Sequence, residues 1–297
     1  MNLISFLLSI LFINQNFEKL NFKNSDDLIL KNLKYRNVGP VRGGRVTTVH
    51  GVESQKNVFY MGTTGGGVWK STDFGNHWNN VSDGYFKSPS IGAINVYQKN
   101  PNIVYVGTGS DGLRSNIIVG KGIYRSEDAG KTWDHLGLEN VGQIGAVEIH
   151  PNDPNTIYVA AIGQPFKNNQ ERGLYKSVDG GKSWDKILYL SDSIGIVDVE
   201  FAPDDPNTLY AASWRAERKP WTIISGSTNG GAFKSVDAGK TWNKIDLGFE
   251  SKYIGKIDFA VSKSNPDRLF IMVEASEGKG GLYKSEDRGK SFEHMNN

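Results

Sequence analysis

The sequence predicts an all-β protein, a β-propeller of four-stranded antiparallel blades. A unit recurs five times, because serines at 71, 126, 177, 235 and 285 begin near-identical motifs spaced by 55, 51, 58 and 50 residues. Each unit holds four short segments rich in β-branched and aromatic residues, bounded by Gly, Pro, Asn and Asp. No segment keeps a 3.6-residue apolar period long enough for a helix of any size. Four strands in each such repeat are typical of a propeller blade.

The four strands of each unit follow one order along the chain. The first strand alternates in polarity: GRVTTVH at 44, IGAINVY at 91, IGAVEIH at 144, IGIVDVE at 194 and IGKIDFA at 254. The second strand carries an aromatic residue: Tyr60, Tyr105, Tyr158, Tyr210 and Phe270. The third strand reads GVWKS, GIYRS, GLYKS, GAFKS and GLYKS. Its final Ser begins the recurring motif of the same unit, and the fourth strand starts at the aromatic residue that ends this motif.

The motif S-x-D-x-G-x-x-W joins the third and fourth strands and is predicted to be a hairpin turn. Its Asp can accept backbone N–H bonds, its Gly can adopt a left-handed conformation, and its aromatic residue can pack between blades. These structural residues are Asp73, Gly75, Trp78, Asp128, Gly130, Trp133, Asp179, Gly181, Trp184, Asp237, Gly239, Trp242, Asp287, Gly289 and Phe292. The copies at 126, 177 and 235, which contain G-K-T or G-K-S, are not phosphate loops, because Arg125, Lys176 and Lys234 replace the required Gly and a strand follows.

The composition excludes several kinds of site. The 297 residues carry a formal net charge of +2, which gives no electrostatic reason to expect a nucleic acid partner. Cys is absent, which excludes disulfides, thiolate metal sites and a Cys nucleophile. The five His residues show no metal-ligand spacing. We therefore predict no metal, no cofactor and no catalytic residue.

The N-terminal residues differ from the repeats. Leu3–Ile13 is an apolar run with the length of a signal-peptide core, too short to span a bilayer. We expect residues 1–16 to be a signal peptide, 17–32 a polar linker and 33–297 the blades. An apolar strand or a truncated start are the alternatives, since no Lys or Arg precedes the run and no A-x-A site follows. Because the run has the length of a signal-peptide core, we expect export to the periplasm, the cell surface or the medium. No later segment is apolar enough to be transmembrane.

The recurring motif resembles the Asp-box, or BNR, repeat. GPVRGGRV at 39–46, GLYKSVDGGKSWDKILYL at 173–190 and LYAASWRAERKPW at 209–221 are similar to bacterial proteins of the sortilin/Vps10-type propeller family, which are often labelled glycosyl-hydrolase-like. The resemblance covers about residues 33–297. Members of this type usually have larger propellers, and LKYRNVG at 33–39 looks like a fourth strand ahead of the first unit. We therefore expect this chain to be the front part of a longer propeller.

The connections between the second and third strands form the predicted ligand face. In a four-stranded meander these connections lie opposite the Asp boxes, and here they vary most in length. Binding residues tend to lie on such loops, and Trp and Arg suit a protein, a peptide or a glycan. The candidate ligand-binding residues on this side, called the loop face below, are Arg42, Arg45, Arg114, Asn116, Phe166, Trp214, Arg215 and Trp221. The alternative is that these loops only cover the rim of the propeller.

An enzyme is the weaker prediction from the residues. A glycosidase needs two carboxylates across a cleft, and Asp111, Glu171, Glu217 and Glu274 are candidates on the loop face that spacing cannot pair. The resemblance to xyloglucanase-type enzymes, which also carry the Asp box, implies a catalytic Asp before a Gly-Gly in the first blade. This chain has Thr64 in that place.

We therefore predict an exported, non-catalytic binding scaffold that recognises a protein, a peptide or a glycan. The enzymatic alternative is a glycoside hydrolase of sialidase or xyloglucanase type. An assembly factor for a protein complex is a third possibility.

Overall fold

The computed structural model of the chain describes residues 44–296. The predicted signal peptide, the linker, the segment LKYRNVG and Arg42 therefore lie outside the described residues. Five four-stranded antiparallel sheets are present, each with its strands in chain order from the inside outwards, and they confirm the predicted blades. None of the described residues belongs to a helix long and apolar enough to cross a membrane.

The strand bounds follow the five repeats. Blade 1 contains β1 (Val46–Val52), β2 (Gln55–Thr63), β3 (Val68–Ser71) and β4 (Asn79–Asn80). Blade 2 contains β5 (Ile91–Val96), β6 (Val104–Thr108), β7 (Ile123–Ser126) and β8 (Asp134–His135). Blade 3 contains β9 (Gln143–Ile149), β10 (Ile157–Gly163), β11 (Gly173–Ser177) and β12 (Asp185–Leu188). Blade 4 contains β13 (Gly195–Ala202), β14 (Asp205–Trp214), an inserted hairpin of β15 (Ala216–Arg218) and β16 (Ile223–Ser225), then β17 (Ala232–Ser235) and β18 (Asn243–Lys244). Blade 5 contains β19 (Ile254–Val261), β20 (Leu269–Ala275), β21 (Gly281–Ser285) and β22 (Glu293–Asn296).

Each Asp box is a hydrogen-bonded turn between the third and fourth strands. In blade 4 the Ser235 hydroxyl donates to Oδ1 of Asp237 at 2.8 Å and accepts from the N–H of Gly239 at 2.9 Å. Asp237 also accepts from the hydroxyl and the N–H of Thr241. The Thr241 hydroxyl, the Thr241 N–H and the Ser235 hydroxyl lower the pKa of Asp237 to about 2, because all of them stabilise its ionised form.

The Asp boxes also join neighbouring blades. The backbone carbonyl of Ala238, which has a φ of 58°, accepts from the hydroxyl of Tyr158 at 3.0 Å and from Nζ of Lys176 at 2.9 Å. Blade 3 is therefore joined to blade 4 by two hydrogen bonds to one backbone carbonyl. The same pair of donors links blade 1 to blade 2 and blade 4 to blade 5. Blade 2 has Arg125 in place of the Lys, and Arg125 pairs with Glu127 instead.

The hydrophobic core lies between successive blades. Four clusters of buried side chains fill the spaces between blades 1 and 2, 2 and 3, 3 and 4, and 4 and 5. Small residues on the second strands make room for this packing: a Cβ on Gly107 would lie 2.4 Å from Cγ2 of Ile144 in the next blade. The blades therefore pack face to face, which is how a propeller buries its sheets.

The outer faces of the first and last described blades differ from these interfaces. Val49 is 69% exposed in blade 1, whereas Val96 at the equivalent position of blade 2 is buried. On blade 5, Met272 is 56% exposed and occupies a position that is Gly or Ala in the other blades. An exposed ion pair between Glu53 and Lys263, 2.7 Å long, joins blades 1 and 5. The expectation of a longer propeller stays a prediction.

Candidate functional site

The first strands of all five blades line one cavity of about 240 Å³, which is the central channel. These strands begin at the loop face, so the residues near their starts lie at that end of the channel. Asp111, on the long connection of blade 2, and Lys256, near the start of β19, both line the cavity. The connection from blade 2 reaches across the channel, because Leu113 is buried among side chains of blades 4 and 5.

Five residues from three blades form a network at this end of the channel. Nζ of Lys256 lies 2.5 Å from Oδ2 of Asp111 and 5.8 Å from the ring centroid of Trp214. The backbone N–H of Lys256 donates to Oε2 of Glu274 at 2.9 Å, and this oxygen also accepts from the hydroxyl of Ser225 at 2.6 Å. The Ser225 hydroxyl in turn accepts from Nε1 of Trp214 at 2.8 Å. We call these five residues the channel mouth.

Lys256 and Ser225 were not predicted as site residues. The sequence does carry a signal for Lys256, because the first strands otherwise have Val46, Ala93, Ala146 or Ile196 at its position. A charged residue at a repeat position that is otherwise apolar points to a local function. Ser225 carries no such signal, because it belongs to a hairpin found only in blade 4.

The four candidate carboxylates of the loop face have different surroundings. Asp111 and Glu274 both belong to the channel mouth. Glu217 is buried and forms an ion pair with Lys219. Glu171 is exposed and accepts from Nδ2 of Asn169 at 3.2 Å. The structure therefore brings two of the four into one network.

The predicted arginines and Asn116 are arranged as follows. Nη2 of Arg45 donates to Oδ1 of Asn116 at 2.8 Å, so two candidates from blades 1 and 2 are in contact. Arg114 is exposed on the same connection as Asn116. Arg215 is half-buried, and its Nε has no hydrogen-bond partner among residues 44–296.

Arg172 follows a candidate loop of the loop face, but its side chain stabilises the fold. Its guanidinium is buried and donates to the carbonyls of Ile162 at 2.5 Å and Gln164 at 2.7 Å. Burial lowers the pKa of Arg172 to about 10, and the nearby carboxylate of Glu217 opposes that shift. Arg172 therefore holds the connection of blade 3 in place through hydrogen bonds from its buried guanidinium to backbone carbonyls.

The two predicted tryptophans occupy opposite environments. Trp214 is buried with its N–H satisfied, whereas Trp221 is 81% exposed in the turn of the β15–β16 hairpin. Phe166, on the connection of blade 3, is 50% exposed. The backbone N–H of Arg218 donates to the carbonyl of Pro165 at 2.6 Å, so the hairpin is held against that connection. Two exposed aromatic residues therefore lie on neighbouring loops of the loop face.

Carboxyl groups deeper in the channel join the blades. Asp198 accepts from the N–H of Phe259 at 2.8 Å, and Glu200 accepts from the N–H of Val261 at 3.0 Å. Burial raises the pKa of Asp198 well above its ordinary range, with Glu200 adding to the shift, and burial raises the pKa of Glu200 to about 7. These carboxyls satisfy N–H groups on the inner edge of β19, which has no strand beside it.

The described part of the chain contains no cluster of side chains suited to bind a metal ion. No group of three or more His, Asp or Glu side chains there is arranged to hold an ion. The acidic channel residues are instead engaged with backbone N–H groups and with Asn95, whose Nδ2 donates to Glu148 at 3.1 Å. The prediction of no metal and no cofactor stays a prediction.

The five sheets, their Asp boxes and the central channel define an Asp-box β-propeller. The sequence model of the Sortilin-Vps10 family, described as "Sortilin, neurotensin receptor 3", matches residues 66–224, which is more than half of the chain. The chain belongs to this family. The BNR-Asp box repeat is also matched, at residues 282–295 in blade 5.

Curated relatives are xyloglucanases. A probable oligoxyloglucan-reducing end-specific xyloglucanase of Neosartorya fischeri is 26% identical over 228 residues, which is 71% of this chain and 25% of the relative. Xyloglucanase Xgh74A of Acetivibrio thermocellus is 25% identical over 226 residues, which is 65% of this chain and 25% of the relative. The chain thus spans about a quarter of the length of these curated relatives.

Solved structures show the same fold. The GH74 enzyme of Niastella koreensis matches with a TM-score of 0.62 at 23% identity, over 84% of this chain and 38% of that enzyme. An ancestral GH74 enzyme matches with a TM-score of 0.66 at 20% identity, over 87% of this chain and 32% of that enzyme. These likenesses place the chain among β-propellers.

Proposed function

We propose that this chain is part of a glycoside hydrolase of xyloglucanase type and that it binds a glucan chain across its loop face. The observation that carries the proposal is the channel mouth, where Asp111 and Glu274 flank Lys256 on the same face as the exposed aromatic residues Trp221 and Phe166. Carboxylates and a lysine offer hydrogen bonds to sugar hydroxyls, and an exposed ring such as Trp221 offers an apolar face to a pyranose. The xyloglucanase relatives support a glucan as the ligand.

Hydrolysis by this chain itself is the second candidate. It is favoured by the contact of Asp111 and Glu274, from blades 2 and 5, with one lysine, because glycosidases use a pair of carboxylates. In that role one carboxyl protonates the glycosidic oxygen while the other acts as base or nucleophile. Thr64 occupies the place where the resemblance implies a catalytic Asp. Any catalysis by this chain therefore uses a different pair of carboxyl groups.

Binding is tested with soluble xyloglucan by affinity electrophoresis and isothermal titration calorimetry. We expect wild-type protein to bind and Trp221→Ala to weaken the affinity about tenfold, since exposed aromatic residues dominate such contacts. The matched control is Phe74→Ala, because Phe74 is 71% exposed on an Asp box at the opposite face. Equal affinity of wild-type protein and Trp221→Ala would contradict the proposed loop face.

Catalysis is tested by the release of reducing ends from xyloglucan. If this chain hydrolyses the polymer, Asp111→Asn and Glu274→Gln should each lower the rate at least about a hundredfold, as loss of acid–base catalysis does. Binding without turnover would leave glycan binding as the contribution of this chain. Failure to bind any glucan, together with a stable protein partner in a pull-down, would favour the protein-binding scaffold or the assembly factor instead.

Export remains part of this proposal. A xyloglucan substrate is a cell-wall polysaccharide and lies outside cells, which agrees with the apolar run Leu3–Ile13. We expect the mature protein to be recovered from the periplasm, the cell surface or the medium. Fractionation followed by N-terminal sequencing checks both the compartment and the cleavage site.

A further inference from the structure

A second cavity lies on the loop face between blades 4 and 5, away from the channel. Its volume is about 660 Å³, within the range of roughly 300–1,000 Å³ typical of small-ligand sites. It is lined by the end of β18, by the connection that follows β18 and by the turn after β20, including Lys244, Asp246, Phe249, Glu250, Lys252 and Glu277. We call it the rim groove. None of these residues was a sequence candidate.

The floor of the rim groove is apolar and rigid. Ile245 and Leu247 are buried in the core between blades 4 and 5. Phe249 is half-buried and stacks on Tyr283, with ring centroids 5.1 Å apart and an angle of 27° between the planes. Tyr283 stacks in turn on His294 at 4.4 Å. An aromatic ring held in this way needs little ordering when a ligand packs on it.

The rim of the groove carries charges that are not used in ion pairs. Lys244, Lys252, Asp246, Glu250 and Glu277 are exposed, and none of them forms a salt bridge within residues 44–296. With two positive and three negative groups, the rim has only a small net charge. Donors and acceptors of both kinds around an apolar floor favour a neutral ligand rich in hydroxyl groups over a strongly charged one.

Two glycines allow the backbone to pack closely beside the groove. Gly231 has a φ of 153°, and a Cβ there would lie 2.7 Å from Cε of Lys244. A Cβ on Gly230 would lie 3.0 Å from the carbonyl oxygen of Ile254 and 3.4 Å from Oγ of Ser227. That Ser227 hydroxyl is buried and has no hydrogen-bond partner in the described part of the chain. In this part of the chain a buried hydroxyl is thus left without a partner, one residue before Thr228, which lines the groove.

The groove also continues from the hairpin that carries Trp221. The N–H of Ser227, just after β16, donates to the carbonyl of Ile254 at 3.0 Å, and the N–H of Ile254 donates back to Ser227 at 3.1 Å. Ile254 itself lines the groove. A chain lying on the hairpin can therefore extend over blade 4 into the groove.

We propose that the rim groove is a second saccharide-binding subsite, which takes a neutral oligosaccharide segment with one sugar ring packed on Phe249. The inference rests on the proposed glucan binding and extends it to a longer ligand path. The groove holds the part of the glucan chain that extends beyond the channel mouth. It therefore contributes affinity for long chains more than for short ones.

Hydrogen–deuterium exchange of the full chain with a xyloglucan oligosaccharide tests the subsite directly. We expect ligand-dependent protection of residues 244–252 and 275–280, in addition to protection of 216–225 on the hairpin. Protection of 216–225 without protection of 244–252 would overturn the subsite and leave the proposed function standing. No protection at any of these segments would overturn both.

Two sets of variants measure the contribution of the groove. Phe249→Ala should weaken binding of long xyloglucan about tenfold and binding of a short oligosaccharide less than twofold. Because loss of the Tyr283 contact could disturb the fold, the double variant Glu250→Gln with Lys252→Gln provides a second measurement, with an expected loss of about fivefold. The matched control is Lys131→Gln with Asp134→Asn, two exposed residues on the Asp-box hairpin of blade 2. Unchanged long-chain affinity in both groove variants would overturn the proposal.

Discussion

Lys256 and Asp111 are 145 residues apart in sequence, and their charged groups are 2.5 Å apart at the channel mouth. Asp111 belongs to a connection of blade 2, and Lys256 belongs to the first strand of blade 5. The contact therefore joins two blades that are not neighbours along the chain. Its consequence is that the position of Asp111 relative to Glu274 depends on one lysine.

Lys256→Met should loosen the connection of blade 2. Both partners are only partly exposed, so the ion pair is expected to contribute about 1 kcal/mol to the free energy of unfolding. Hydrogen exchange across residues 109–120 and a denaturant titration measure the two effects. Lys263→Met is the matched control, because its ion pair with Glu53 is highly exposed and should contribute little. Equal effects of the two substitutions would contradict a special role for Lys256.

Tyr158→Phe should weaken the link between blades 3 and 4. It removes one of the two donors to the carbonyl of Ala238, which costs about 1 kcal/mol of unfolding free energy. Adding Lys176→Met leaves that carbonyl without either donor, so the double variant should lose more than the sum of the single losses. Denaturant unfolding checks this. Tyr189→Phe, on an exposed ring, should be neutral.

Gly107→Ala should destabilise the interface between blades 2 and 3. The added Cβ would lie 2.4 Å from Ile144, and overpacking of a tight core costs about 1–3 kcal/mol. Met272→Ala, on the exposed face of blade 5, should change stability by less than about 0.5 kcal/mol. Thermal unfolding compares the two. A neutral Gly107→Ala would show that the blades can separate slightly without loss of packing.

Glu200→Gln should change how stability depends on pH. The pKa of Glu200 is raised from 4.5 to about 7, so between these values the folded state binds more protons than the unfolded state. Stability from this group is therefore greatest at low pH and falls as the pH rises from about 4.5 to 7. Gln can still accept from Val261 and does not titrate, so by pH 7 the variant should gain roughly 3 kcal/mol relative to wild type. An equally steep decline in the variant would contradict this assignment.

Most of the fold was predictable because its signals are local. The Asp, Gly and aromatic residue of each box occur at fixed offsets, and each strand alternates in polarity, so turns and strands could be placed from short segments. The link from Tyr158 and Lys176 to Ala238 was not predicted. Its donors recur in several repeats, but their shared acceptor lies in the next blade.

The candidate site was only partly predictable. Trp214 ends β14 and Trp221 lies in the hairpin that follows it, so the two are close in sequence and of the same residue type, yet one is buried against Ser225 and the other is exposed. The distinction depends on the β15–β16 hairpin, which lacks a counterpart in the other four repeats. The rim groove was missed because its floor comes from a connection between blades, where length and composition carry no clear signal.

By itself the sequence determined the four strands of each blade, the five blades, the Asp-box turns and the face on which the variable connections lie. These properties follow from hydrogen bonding and side-chain alternation within a few residues. Only the tertiary structure decided that Asp111, Lys256 and Glu274 form one network, that Trp221 and not Trp214 is exposed, and that a groove opens beside Phe249. Each of these depends on how blades pack around a channel, and that packing brings together residues whose separation in sequence carries no information about their contact.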